Sequence, residues 1–489
     1  LSQYIPIKLQ NLKHNFSYQL LAALSSLLFP LISFPYITRT LGPAMLGKVN
    51  YVDFLAGLVI SLTCIGIPLY GVREIARYRN EVTMRRRLFG SLLRLHLLAA
   101  FAGCIGFVLF LYVHPRYTDE HWLIAMGVVY ILSNVLAAEW YLQGIEAFPF
   151  ISIRSIILRA LGLAAIFIFI HQPDDYILYY AIIALTMLLT LIINFTRIKP
   201  SLNIVKSSAT EKEYLPVLLN FFIASTFISI YDYIDTVMLG WLARDENVGY
   251  YTASMKLVKL SLLLILTINV ILFPRLSHLV AEKKEEEINA LLHKSMSFII
   301  TAAVPGMALY ILLAPELIAL FAGSGFAPSV PVMQWLSPLP LVIALSNLWL
   351  LYYLSRFTQK NKQLLWLAAI ALLISISLNY WLIPLLQQEG AAIASVCTET
   401  FIMLFLGITM NIKIPRNAVW QSIIGSSFLI PLTMLVRKIF SGHAETFVFM
   451  LVAGGVLYFT IQAFLFRNES ILAIFRYVNT IIRSRNQNS

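Results

Sequence analysis

The 489-residue chain is 59% hydrophobic and only 12% charged, with a mean hydropathy of +0.78. A soluble domain carries about 25% charged residues, so a soluble globular fold is excluded from the start. The net charge of +12 would suggest nucleic acid in a soluble protein, but here its placement along the chain explains it and no nucleic-acid partner is expected.

Apolar stretches follow one another almost without interruption. Read in chain order they cover roughly 15–39, 45–71, 89–113, 122–143, 151–171, 175–196, 215–241, 249–273, 295–321, 331–355, 363–386, 389–411, 418–438 and 446–466, each near the 20 residues a bilayer core requires. Long runs without strict alternation favour helices over a β-barrel, whose strands alternate every second residue. The expected fold is an all-α polytopic membrane protein of about 14 transmembrane helices. The first span is too long for a secretory h-region and no A-x-A-like site follows it, so it is expected to stay as a helix. Cys64, Cys104 and Cys397 all fall in apolar spans without metal-ligand spacing, which suggests buried, inert thiols.

Basic residues separate between alternate connections. One side takes Lys8 and Lys13, the cluster Arg73–Arg87, Arg197–Lys212, Arg275–Lys294, Arg356–Lys362, Lys413 and Arg416, and the end of the chain from Arg467. The other side holds Arg39, Lys48, Arg116, Arg244, Arg437 and Lys438. The balance is roughly twenty-five against six, which by the positive-inside rule places both termini in the cytoplasm of a multi-pass protein. The longest connections, about 72–88, 197–214 and 275–294, are far below the about 50 residues of a folded domain. They contain no phosphate-binding G-x-x-x-x-G-K-[ST] loop, so transport work would draw on a gradient or a partner.

Two stretches are alike. Thr40-Leu41-Gly42 precedes Gly47, Asn50 and Tyr51, and Met238-Leu239-Gly240 precedes Gly249, Tyr250 and Tyr251. Both lie at the same end of an odd-numbered span, as parallel repeats would, and such repeats place a substrate site between halves near the midplane. The expected division is an N-terminal lobe at 1–196, a cytoplasmic linker at 197–214, a C-terminal lobe at 215–411, and two further spans with a basic end at 412–489. Prolines 30, 35, 68, 305, 315, 338 and 340 inside spans predict bent helices.

The same segments carry a family resemblance. Phe34-Pro35-Tyr36-Ile37-Thr38-Arg39-Thr40-Leu41-Gly42, Gly66-Ile67-Pro68-Leu69-Tyr70-Gly71-Val72-Arg73-Glu74, Trp140-Tyr141-Leu142-Gln143-Gly144 and Asp235-Thr236-Val237-Met238-Leu239-Gly240 are similar, in order, to the recurrent segments of one family, a similarity that extends over nearly the whole chain. The chain resembles bacterial polysaccharide (O-antigen type) flippases, the polysaccharide transporter family of the multidrug/oligosaccharidyl-lipid/polysaccharide exporter superfamily. That resemblance implies two lobes around a cavity that opens alternately to each side. The implied cargo is undecaprenyl-diphosphate-linked oligosaccharide, moved from the cytoplasmic to the periplasmic leaflet of the bacterial inner membrane for a surface glycan such as that of lipopolysaccharide. It implies no cofactor and no catalysis; membrane lipids, a glycan polymerase and glycosyltransferases are the expected company.

Charges inside spans are costly and usually face a bundle interior. Asp235 and Lys256 fall roughly 10 Å inside their spans, and Asp232 and Lys259 roughly 13–15 Å. These four could be ion pairs between adjacent helices, or lysines for a diphosphate and acids for a coupling ion. Arg39, Arg94, Arg159, Lys256 and Lys259 are the candidate diphosphate contacts, since guanidinium and ammonium groups offset the loss of phosphate hydration. Asp232, Asp235, Asn379, Thr398 and Glu399 are candidates for coupling to sodium or a proton. Glu139 and Arg154 match in depth and predict a local ion pair. Asp53 is deep in its span with no partner of equal depth nearby in sequence. Tyrosines and tryptophans near span ends read as interfacial belts, with stacking on sugars as the alternative role.

A drug or lipid II exporter of the same superfamily would share this architecture. So, from another class, would a membrane-embedded glycan polymerase or ligase. The drug exporter needs little phosphate-binding cation in its interior, and the polymerase or ligase needs a sizeable external loop or an acid/base set that the short connections do not offer.

Overall fold

A computed structural model describes residues 9–198, 230, 233–357, 361–440 and 442–467; side chains are described for all of these except 9–17, 19, 20, 27, 263–271 and 361. Every described element is helical and no strand occurs among the described residues. In chain order they are α1 (Leu9–Thr63), α2 (Ile67–Arg77), α3 (Val82–Val113), α4 (His121–Leu136), α5 (Glu139–Gly144), α6 (Phe148–Phe169), α7 (Tyr176–Ile198) and α8 (233–242). There follow α9 (Asp245–Ala281), α10 (Glu285–Leu312), α11 (Ala314–Phe321), α12 (Ser329–Leu336), α13 (Leu339–Arg356), α14 (Asn361–Leu386), α15 (Gln388–Thr409), α16 (Arg416–Ser427), α17 (Leu429–Ile439), α18 (His443–Phe449) and α19 (Gly455–Thr460). Two compact units divide between Gly249 and Tyr250.

Among the described residues, eleven stretches are long and apolar enough to cross a membrane. One of them, Leu21–Thr63, takes in most of the first two expected spans, separated by a turn at Gly42. There the backbone adopts φ 70° and ψ 174°, a conformation that a side chain disfavours. The second span, expected to run to 71, breaks at 64–66, where Ile65 and Gly66 take positive φ, and resumes as α2. The expected linker from 199 onward, and most of the seventh span, lie outside the described residues.

Several expected spans prove to be two helices each. The 122–143 stretch breaks at Ala138, which takes φ 43°; 295–321 breaks at Leu313, 331–355 at Ser337 and Pro338, and 418–438 at Phe428. Hydropathy is blind to these breaks because the residues at them are themselves apolar or small. The prolines also act differently from the expectation of bends alone. Pro68, Pro315 and Pro340 open α2, α11 and α13, where a missing N–H costs no helical hydrogen bond. Pro30, Pro35 and Pro305 do remain inside helices.

In the first unit, α2, α3 and α5 enclose a core of Ile67, Tyr70, Ile75, Leu88, Phe89, Leu92, Trp140 and Tyr141. In the second, α9, α10, α13 and α15 gather Leu276, Leu292, Met296, Leu348, Trp349, Tyr353 and Leu406. Outward faces are equally apolar: Leu98, Phe101, Ile105 and Leu109 form an exposed stripe on α3. Their spacing puts them on one side of the helix, as contact with hydrocarbon requires. Of the thiols, Cys104 is buried, Cys64 half-buried, and Cys397 exposed. The expectation of buried cysteines is therefore wrong for Cys397, which α15 turns outward.

Candidate functional site

One end of the first unit, here called the Gly42 end, is closed by polar contacts from the α3–α4 connection. Glu120 accepts from Lys48 (2.5 Å) and from the Tyr176 hydroxyl (2.8 Å). Arg116 donates to Asp245 (3.2 Å) and to the Gly240 carbonyl (2.7 Å), and Tyr117 donates to Asp245 at 2.8 Å. The two alike stretches meet here. Gly47 faces the backbone of Asp245 and Gly249, Gly249 faces the backbone of Pro43, and Gly240 faces the Tyr51 ring. At each, an added Cβ would find its space already filled, which explains glycine at these repeated positions.

Beside these contacts the His114 imidazole is held below its ordinary range, first by burial and then by the charge of Arg116. The Tyr117 phenol is pushed far above its ordinary range by burial and by the Asp245 carboxylate.

Deeper in the same unit, the break between α4 and α5 organises a buried ion network. With Ala138 left-handed, the Ala137 carbonyl has left the helical ladder and accepts from the Asn194 side-chain amide of α7 (2.8 Å). Asn194 in turn accepts from Arg154 of α6, which also donates to Glu139 (2.9 Å) and Ser155 (3.1 Å). Arg154 is buried while the Glu139 side chain keeps 39% of its exposure. The local pair expected from matched depth is present, with Asn194 as a third member that sequence reasoning missed. An amide alone inside the 175–196 stretch was its only signal.

Arg159, one turn further along α6, donates to the Ala22 carbonyl (2.8 Å) and the Ser25 hydroxyl (2.7 Å) of α1. It is half-buried and lies in the field of both Glu139 and Arg154. Arg39 is exposed near Gly42, and Arg94 is exposed on α3 with its Nε on the Gly90 carbonyl (3.2 Å). Measured along the helices from the Gly42 end, Arg39, Arg159 and Arg94 sit at about 5, 16 and 28 Å. They form no single pocket, and Arg94, four residues before Leu98, lies on the same side of α3 as the exposed apolar stripe, contrary to the expectation of an interior diphosphate contact. Asp53 is half-buried on α1, and Tyr130 of α4 with Tyr179 and Tyr180 of α7 lie within its electrostatic reach. Asp235 is buried on α8, and Asp232 lies outside the described residues.

In the second unit, Lys256 and Lys259 are exposed side chains of α9, and their i,i+3 spacing sets them on one face. The α14–α15 hairpin turns at Gln387, with φ 51°, and Gly390 lets the two backbones approach at Leu382 and Ile383. Equal distances from that turn bring Asn379 level with Ser395, and Ser375 level with Glu399. Asn379 donates to the Ser375 carbonyl (2.9 Å) and hydroxyl (3.2 Å). The Ser395 and Tyr251 hydroxyls are 2.9 Å apart, and Thr398 donates to the Ala394 carbonyl at 2.8 Å. Asn379, Ser375, Ser395 and Thr398 are buried, and Glu399 is half-buried. The hairpin thus gathers three of the five proposed coupling residues into one oxygen-rich band. Among the described residues no cluster of His, Cys, Asp and Glu could hold a metal ion.

A family model described as "Polysaccharide biosynthesis protein" matches residues 12–280, and one described as "MatE" matches residues 221–381. An Escherichia coli K12 protein named "Putative O-antigen transporter" is 23% identical over 401 residues, covering 80% of this chain and 95% of that protein. A Shigella dysenteriae protein of the same name is 25% identical over 397 residues, covering 78% and 95%. The solved structure of lipid II flippase MurJ superposes with a TM-score of 0.69 at 14% identity, covering 93% of this chain and 99% of that one. A multidrug resistance MATE family transporter superposes at 0.56 with 13% identity, covering 78% and 94%. At those identities the likeness is one of fold.

Proposed function

This chain belongs to the polysaccharide biosynthesis protein family and is a polysaccharide flippase of the multidrug/oligosaccharidyl-lipid/polysaccharide exporter superfamily, and on that premise we propose a cargo, a direction and a source of energy. The cargo is an oligosaccharide on undecaprenyl diphosphate, and the movement is from the cytoplasmic to the periplasmic leaflet of a bacterial inner membrane. The two repeat-related lobes, 1–196 and 215–411, alternate access to the two sides, and 412–489 is an addition to them. By the positive-inside rule both termini are cytoplasmic, which makes the Gly42 end the periplasmic one.

The observation that carries this reading is Arg159, a guanidinium about 16 Å from the end of its helix that is held by α1 yet only half-buried. With Arg39 it offers cationic steps to a diphosphate that must leave water, and Lys256 and Lys259 supply the same chemistry from α9. Arg94 shares the lipid-facing side of α3 and is left out of this path. Asp235, Asn379, Thr398 and Glu399, with Asp232, are the proposed sites of sodium or proton coupling. The relatives are named as transporters, which favours carriage over glycan polymerisation or ligation.

Deletion should accumulate carrier-linked oligosaccharide on the cytoplasmic leaflet. Arg159→Gln and Lys256→Gln should lower surface polymer output while the protein still inserts. Wild-type output from both variants would sink the cationic path, and transport indifferent to sodium and pH gradients in proteoliposomes would sink the coupling.

A further inference from the structure

One nitrogen of the Arg159 guanidinium is tied to α1. Nη1 donates both to the Ala22 carbonyl (2.8 Å) and to the Ser25 hydroxyl (2.7 Å), and that hydroxyl donates its own proton to the Ala22 carbonyl at 2.7 Å. The three groups close a ring. Ser25 lies about 25 Å along α1 from Gly42, and Arg159 about 16 Å from the same end along α6. A helical side chain leans toward the N-terminus of its own helix, so the long arginine stem covers the difference.

Three serines of α1 use the same back-bond: Ser25, Ser26 and Ser33 each donate to the carbonyl three residues earlier. Ser26 is exposed and Ser33 half-buried. Of the three, Ser25 is the buried one, and among the described residues it alone accepts from another helix. Because its proton is committed to Ala22, its oxygen lone pairs are left to face Arg159. The serine is thereby fixed as an acceptor.

Among the described residues Nη1 makes every hydrogen bond of Arg159, while the side chain is only half-buried. Arg154, five residues earlier, is the contrast: it is buried, and its donors go to Asn194, Glu139 and Ser155. A guanidinium held by Nη1 keeps Nε and Nη2 side by side, the fork that meets two oxygens of a phosphate.

We propose that Ser25 is a positioning residue for the cargo: with the Ala22 carbonyl it fixes Arg159 so that the Nε–Nη2 edge meets the diphosphate. This rests on the cationic-path reading of Arg159 above and adds the group that aims it. An arginine stem already held gives up less rotamer freedom when the ligand arrives. An ammonium in its place would spend itself on the same two oxygens of α1 and have no second edge to offer.

The test uses the full chain in lipid nanodiscs, with undecaprenyl diphosphate as the probe and undecaprenol, the same isoprenoid without phosphate, as the reference. Ser25→Ala should weaken diphosphate binding by about fivefold, the worth of one hydrogen bond, and leave undecaprenol binding unchanged. Ser25→Thr keeps the hydroxyl and should stay within about twofold of wild type. Arg159→Lys keeps the charge but not the fork, and should still lose about fivefold or more. In an Arg159→Gln background Ser25→Ala should change nothing further, because the serine acts only through the arginine. A mere clamp between helices would lower the melting midpoint of Ser25→Ala and leave its affinity intact, which would overturn the proposal. So would a Ser25→Ala loss of undiminished size in Arg159→Gln, or equal losses for the two lipids. Full diphosphate affinity in Arg159→Gln would overturn the cationic path itself, and the role of Ser25 with it.

Discussion

Replacing Glu139 by glutamine should destabilise the protein more than its modest size suggests. Arg154 is buried, and Glu139 is its anionic partner at 2.9 Å. Removing one member of a buried pair costs about 3–5 kcal/mol, because the other charge is stranded. The 39% exposure of the Glu139 side chain lets water take up part of that charge, so about 2–3 kcal/mol is expected after screening. Arg154→Met removes the buried cation instead. It leaves a carboxylate that reaches solvent and an Asn194 oxygen without its donor, at about 1–3 kcal/mol. In the double variant no cation is stranded, so its loss should fall short of the summed single losses by at least about 1 kcal/mol. Unfolding in mixed micelles, followed by tryptophan fluorescence against denaturing detergent, measures all three. Strict additivity, or a Glu139→Gln variant indistinguishable from wild type, would refute the stranded-charge account.

Three further outcomes follow from the same geometry. The folded His114 has a lower pKa than the ordinary 6.5, so its contribution is complete above that value and is lost as the pH falls through it toward the folded value. Thermal midpoints between pH 7.5 and 5.5 should decline in wild type and flatten in His114→Gln. Gly249→Ala must push the Pro43 backbone aside and should cost about 1–3 kcal/mol, with an unshifted melting midpoint as the contrary result. Arg437 holds the buried Glu316 through two bonds, 2.7 and 2.9 Å, and also caps the Leu312 carbonyl at 2.7 Å. Arg437→Met should therefore lose about 3 kcal/mol, and adding Glu316→Gln should recover part of it; no recovery would show that the carboxylate was never the problem.

Helix positions could be read from the chain because a bilayer imposes a length. Expected stretches such as 151–171 and 389–411 correspond closely to α6 and α15. The pairing of Glu139 with Arg154 was readable for a similar reason: equal depth on neighbouring helices brings opposite charges together. The left-handed Ala138 was not, since nothing local marks an alanine for that conformation. The carbonyl just before it, that of Ala137, is held by Asn194 from a helix more than fifty residues away.

The amino-acid order alone settled that this is a polytopic helical membrane protein with charges at depth, since hydrocarbon sorts residues by type and every long apolar run must span it. Which way each side chain faces was a matter for packing. Asp53 had no evident partner along the chain and acquires tyrosines from α4 and α7 only when those helices lie against α1. Cys397, expected from its apolar span to be buried, is exposed on α15. Span position is a one-dimensional balance of transfer energies, whereas the facing of a side chain depends on helix rotation, which neighbours distant in sequence impose.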